Sequence, residues 1–123
     1  MFKDAKTFSS YSVDDVSRAK AFYADTLGLE TSDQMGGLGL RLGGGEAFLY
    51  PKDDHQPATF TVLNFRVDDI DAAVDELTGK GVAFEQYGGE IATDERGIAR
   101  DSGGPAIAWF KDPAGNILSV LQV

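Results

Sequence analysis

One short string is written twice in this chain. YSVDDVSRAKAFY starts at Tyr11 and FRVDDIDAAVDEL at Phe65, so Val13–Val16 and Val67–Ile70 carry nearly the same step at an offset of 67 − 13 = 54 residues. The match runs from Tyr11/Phe65 through Ala19/Ala73. In each copy an extended run ends in valine. An aspartate then stands where a helix N-cap belongs, and apolar residues follow at helical spacing. A chain that repeats a strand-to-helix junction folds as two similar modules. Each module alone is one sheet with one helix, which leaves the second sheet face uncovered and the unit small for its own stability.

The rest of the pattern fills in the modules. In the first, Lys6–Val13 reads as a strand and Asp15 as the cap of a helix carrying Val16, Ala19, Phe22, Tyr23 and Leu27, stopped at Gly28. Glu30–Met35, Leu38–Leu42 and Glu46–Tyr50 read as three strands separated by glycine turns. Pro51–Ala58 (PKDDHQPA) has two prolines and no periodicity, and reads as a linker. In the second module Phe60–Val67 is a strand, and Asp69 caps a helix with Ile70, Ala73, Val74 and Leu77 on one face. Val82–Tyr87 and Pro105–Phe110 are strands, Asp112-Pro113-Ala114-Gly115 a tight turn, and Asn116–Val123 the last strand. The long polar stretch over 88–104 is expected as an excursion or lid. The expectation is an α+β fold of two tandem βαβββ modules within one domain: residues 1–50, a linker over 51–58, and residues 59–123. Phe22 and Leu77 are expected as core anchors.

Composition excludes some functions. The chain has no cysteine, so disulfides, zinc–thiolate sites and cysteine nucleophiles are out of reach. Twenty Asp and Glu against 11 Lys and Arg give a net charge of −9, which repels a nucleic-acid backbone and attracts small cations. No apolar stretch is long enough to span a bilayer. The opening MFKDAKTFSS lacks the apolar run of a signal peptide, so the expected location is the cytoplasm.

Taken together, VDDVSRAKAFYADTLGLE, VDDIDAAVDELTGKGV and the closing WFKDPAGNILSV resemble the vicinal oxygen chelate superfamily, the glyoxalase, bleomycin-resistance protein and extradiol dioxygenase group. The resemblance covers nearly the whole chain. It implies paired βαβββ modules, curled sheets forming a cleft within a chain or between chains, and commonly a homodimer. In the enzymes it also implies a divalent metal held by His, Gln or Glu. The corresponding positions here are Phe8, seven residues before Asp15; Val62, seven before Asp69; Ser119, seven after Asp112; and a residue near Leu49. None is a donor that transition metals select. No metal and no cofactor is therefore expected.

What such a cleft offers instead is an apolar and aromatic surface with a few polar groups. Strand alternation from Phe8 and Val62 places Ser10, Ser12, Asn64 and Arg66 on it, with Ala47, Leu49, Ile117, Ser119 and Leu121 from the closing strands. Trp109 or Phe110 joins them, and Tyr87 stands at the start of the long loop. The candidate ligand-binding residues are Phe8, Ser10, Leu49, Val62, Asn64, Tyr87, Trp109 and Ser119, and no catalytic residue is assigned. Arg41 and Arg66 are strand arginines able to hold an anion or a structural carboxylate. His55, the one histidine, reads as a solvated linker residue and gives no convincing Ser/His/Asp set. The leading expectation is a metal-free protein that sequesters an aromatic or cationic small molecule. The alternatives are a glyoxalase-like lyase or dioxygenase-like enzyme with a non-standard or absent metal site, and a dimer with no ligand.

Overall fold

The structure is a computed structural model that describes residues 1–101 and 103–123. Ser102, inside the stretch expected as a lid, lies outside the described residues. The chain divides into two compact units, Met1–Pro57 and Ala58–Val123.

The first unit contains β1 (Ser9–Val13), α1 (Val16–Lys20), β2 (Glu30–Gln34), β3 (Gly37–Leu42) and β4 (Gly45–Pro51). The sheet order is β1-β4-β3-β2, with β1 parallel to β4 and the other pairs antiparallel. Asp15 caps α1 by accepting from the Arg18 amide at 3.0 Å, which satisfies one of the helix's orphan donors. The helix continues as a π-helical turn over Ala21–Thr26, closed by the Leu27 amide donating to the Phe22 carbonyl at 3.0 Å. A π turn adds a residue to the turn and shifts the phase of the side chains beyond it. The expected anchor also changes, for a reason that precedes the π turn: Tyr23 follows buried Ala19 at ordinary α-helical spacing and is fully buried, while Phe22 is only half-buried. The Tyr23 hydroxyl lies 2.8 Å from that of Tyr11, so the buried phenol keeps a partner.

The second unit contains β5 (Thr61–Val67), α2 (Ile70–Gly79), β6 (Ile98–Ala99), β7 (Ala106–Lys111) and β8 (Ile117–Gln122), in the sheet order β5-β8-β7-β6. Asp69 caps α2 at 3.1 Å, and Ile70, Val74 and Leu77 are buried beneath the helix as expected. Val82–Tyr87 does not form the expected strand. Only Phe84 bridges to Phe110, and the Glu85 amide donates to the Trp109 carbonyl at 2.8 Å. The edge of β7 is instead shared between this short contact and β6, with residues 86–97 looping out between them. Sequence pattern missed β6 because two residues carry no periodicity.

The expected excursion is fastened to the helix side of its unit. Arg96 reaches Asp71 and Asp75, both at 2.5 Å, and Arg100 reaches Asp71 at 2.6 Å. The guanidiniums of Arg100 and Arg96 hold the Asp71 carboxyl below its ordinary range. Burial works to raise that of Asp94. The Ile98 and Arg96 amides and Arg100 outweigh it and pull the group down. The DPAGN turn is as compact as its sequence suggests. Asp112 accepts from the Ala114 amide at 3.0 Å and the Asn116 amide at 2.8 Å, and the Asn116 side chain donates to its other oxygen at 3.1 Å.

Candidate functional site

Residues paired across neighbouring strands share a face. In the first unit Tyr11–Leu49–Leu38 and Ala47–Leu40 lie on one face, with Val13. All of these but Tyr11 are buried, and α1 packs against their strands. The opposite, open face carries Ser10–Phe48–Gly39–Ser32 and Glu46–Arg41–Glu30 as rows, with Ser12, Tyr50 and Gln34. Leu49 and Ala47 therefore do not join Phe8 and Ser10; they belong to the helix-covered core. The residue paired with Ser10 on the open face is Phe48. A one-residue shift reverses a strand's faces, so Leu49 and Phe48 point to opposite sides of the sheet. Phe48 is no better a metal donor than Leu49.

The open face holds a groove of about 260 Å³ lined by Phe8, Met35, Phe48, Gln34, Glu30 and Arg41, among others. Two glycines keep it open. A Cβ at Gly37 would stand 2.9 Å from the Phe48 ring and 2.4 Å from the Leu49 carbonyl oxygen, and one at Gly39 would stand 2.6 Å from the Gln34 amide and 2.7 Å from the Ser32 hydroxyl. Without side chains at these positions, the ring and the Ser32–Gln34 pair lie down against the sheet. Phe8 remains exposed, and the Phe48 and Tyr50 rings stack at 6.4 Å. Across one end Glu30 and Glu46 flank Arg41, whose Nε is 3.8 Å from the Glu30 carboxylate. His55 is not simply solvated: it is half-buried, with Nδ1 2.7 Å from the Ser12 hydroxyl.

In the second unit Leu63–Leu118–Phe110 and Phe65–Val120–Ala108–Ile98 form the covered face, against which α2 packs. The open face carries the rows Asn64–Ser119–Trp109, Arg66–Leu121–Ile107–Ala99 and Thr61–Ile117–Lys111. Tyr87 meets Trp109 edge to face, with ring centroids 5.3 Å apart. Asn64, Tyr87, Trp109 and Ser119 are thus brought together. Ser119 is fully buried and donates to the Asn64 Oδ1 at 2.5 Å. Val62 lies at a β-bulge between Thr61 and Leu63 and has no cross-strand partner in the ladder.

Phe8, Phe48, Val62 and Ser119 offer no imidazole, thiolate or carboxylate, and the Ser119 hydroxyl is already engaged. Among the described residues no group of three or more His, Cys, Asp or Glu side chains is placed to hold a metal ion. The donor set does not fit a transition metal. Among the described residues, no helix is long and apolar enough to cross a membrane.

The family model of the Glyoxalase/Bleomycin resistance protein/Dioxygenase superfamily matches residues 8–120. A putative glyoxalase family protein from Bacillus anthracis is similar with a TM-score of 0.76 at 19% identity, over 97% of this chain and 94% of that one. A lactoylglutathione lyase from Agrobacterium tumefaciens has a TM-score of 0.70 at 21% identity, over 97% and 93%. Both likenesses bear on the fold alone. An antibiotic binding protein from Streptomyces sp. CB03234 has a TM-score of 0.65 at 26% identity, over 97% of each chain. No curated protein matches the sequence.

Proposed function

This chain belongs to the Glyoxalase/Bleomycin resistance protein/Dioxygenase superfamily, and we propose that within it the protein is a metal-free binder of small aromatic or cationic molecules. The observation that carries this reading is the chemistry of the open faces. The positions that the resemblance aligns with the enzymes' metal donors carry Phe8, Val62, Ser119 and a residue near Leu49, whose open-face neighbour is Phe48, and none of these is a donor for a transition metal. Beside them runs a groove with aromatic walls. Its volume of about 260 Å³ is below the ~300–1,000 Å³ usual for a drug-sized ligand, and suits a fused ring system. The two carboxylates around Arg41 leave that end of the groove with a surplus negative charge, which favours a basic substituent. The likeness to an antibiotic binding protein points the same way. Phe8 and Ser10 act on the first sheet and Asn64, Tyr87 and Trp109 on the second, where buried Ser119 contributes by holding the Asn64 amide. Val62 contributes at the bulge. The single domain built of both modules, and its homodimer, belong to the same proposal.

Titration with proflavine, a flat cationic ring system, followed by dye anisotropy tests the reading. Binding is expected to saturate, to be unchanged by EDTA, and to weaken about two- to tenfold in Phe48→Ala. Loss of binding in EDTA, or an unchanged affinity in Phe48→Ala, would contradict it.

A further inference from the structure

The two open faces differ in charge. That of the first sheet sets two carboxylates beside its arginine. On the second, the strand residues that share the face include Arg66 and Lys111 and no carboxylate at all, in a chain with 20 acidic residues. Lys111 is engaged by Glu85 at 3.5 Å. Arg41, Arg96 and Arg100 are each bound to acidic side chains. Among the described residues Arg66 makes no ion pair and no side-chain hydrogen bond, and it is exposed on the face that holds Trp109.

Its neighbour on the strand is prepared for the same kind of ligand. The Ser119 hydroxyl donates to Asn64 Oδ1, which fixes the amide with its oxygen turned to the sheet and its NH₂ as the group presented. Asn64 and Arg66 are two residues apart on one face, roughly 6.6 Å along the strand. Trp109 lies two strands away from Asn64, roughly 10 Å across the sheet. We propose that this face takes the carboxylate of an elongated aromatic acid. The Arg66 guanidinium receives both oxygens, the Asn64 amide donates to one of them, and the ring lies against Trp109 beside Tyr87. A planar guanidinium fork matches a carboxylate in two parallel hydrogen bonds. The proposal rests on the reading of the protein as a binder and adds a ligand class and a second, oppositely charged subsite.

Trp109 is the only tryptophan, so its fluorescence reports this face alone. The probe is 4-nitrocinnamate, with 4-nitrocinnamylammonium and the neutral amide as shape-matched controls. The nitrocinnamate is expected to quench Trp109 saturably, and both controls only in the linear manner of random collision. Arg66→Gln should weaken the nitrocinnamate about tenfold, and Arg66→Lys should restore only part of the loss, because a point charge lacks the fork. Linear quenching by the nitrocinnamate up to its solubility would overturn the proposal. So would saturable quenching by the cation at the same concentrations, or an unchanged affinity in Arg66→Gln. Each of these results leaves proflavine binding at the first sheet to be judged separately by dye anisotropy.

Discussion

At the residue scale, two side chains that matter, Tyr23 and Phe48, stand one position from Phe22 and Leu49, which the pattern favours. Phe22 and Tyr23 are adjacent, and helical spacing admits both to the apolar stripe. Tyr23 stands directly below buried Ala19 on the helix and takes the core position, where its ring meets Phe22 edge to face at 5.2 Å. Tyr23→Ala is expected to cost about 3–5 kcal/mol, the range for a large buried aromatic, and Phe22→Ala distinctly less. Tyr23→Phe should cost about 1 kcal/mol for the hydroxyl pair with Tyr11. Urea denaturation of the three variants checks the order, and a larger loss in Phe22→Ala would contradict it. The same offset separates Leu49 from Phe48. Alternation fixes faces only after the register is known, and register is set by pairing with Ser10, which one sequence does not display. Trp109 needed no such correction, because it lies directly across from Ser119. Trp109→Ala is expected to weaken binding of a planar aromatic acid about two- to tenfold, as calorimetry would measure. An unchanged affinity would remove the second face from the account.

At the element scale, caps and turns were the most legible features, because their chemistry is local. Asp15 and Asp69 cap where their spacing says they should, and the DPAGN string folds into the turn it spells. Asp112 is 5% exposed and serves two backbone amides and the Asn116 side chain. Asp112→Ala leaves those donors short of an acceptor and is expected to cost about 1–3 kcal/mol, read by thermal or urea unfolding; a neutral substitution would mean the turn holds itself. The loop after Tyr87 was legible only as a loop. Its anchoring by Arg96 and Arg100 to Asp71 is a long-range pairing that periodicity does not encode. That pairing has a sign in pH. The folded Asp71 carboxyl titrates below its ordinary value of 3.8, so its stabilisation is complete above that value and is lost as pH falls through the folded one. The melting temperature should therefore fall more steeply below about pH 4 in the wild type than in Asp71→Asn. The difference should shrink in high salt, since these groups are partly exposed. Parallel pH profiles would show that the network contributes nothing.

At the scale of the whole chain, the tandem repeat carried the fold, since a strand-to-helix junction written twice leaves few architectures. Function was less legible. The sequence exposes the identity of residues at expected donor positions, and that was enough to argue against metal chemistry. It does not expose which open faces are acidic or basic, because Glu30, Arg41 and Glu46 become neighbours only through sheet pairing, and Arg66 is distinguished by making no ion pair among the described residues. If this member of the superfamily binds its ligands without a metal, as proposed, the protein holds no resident transition metal. The most direct test is elemental analysis of untagged protein dialysed against a mixture of divalent metals without chelator. No transition metal above the background of the dialysis buffer is expected. About one equivalent per chain would contradict it and would make a metal-dependent enzyme the better reading.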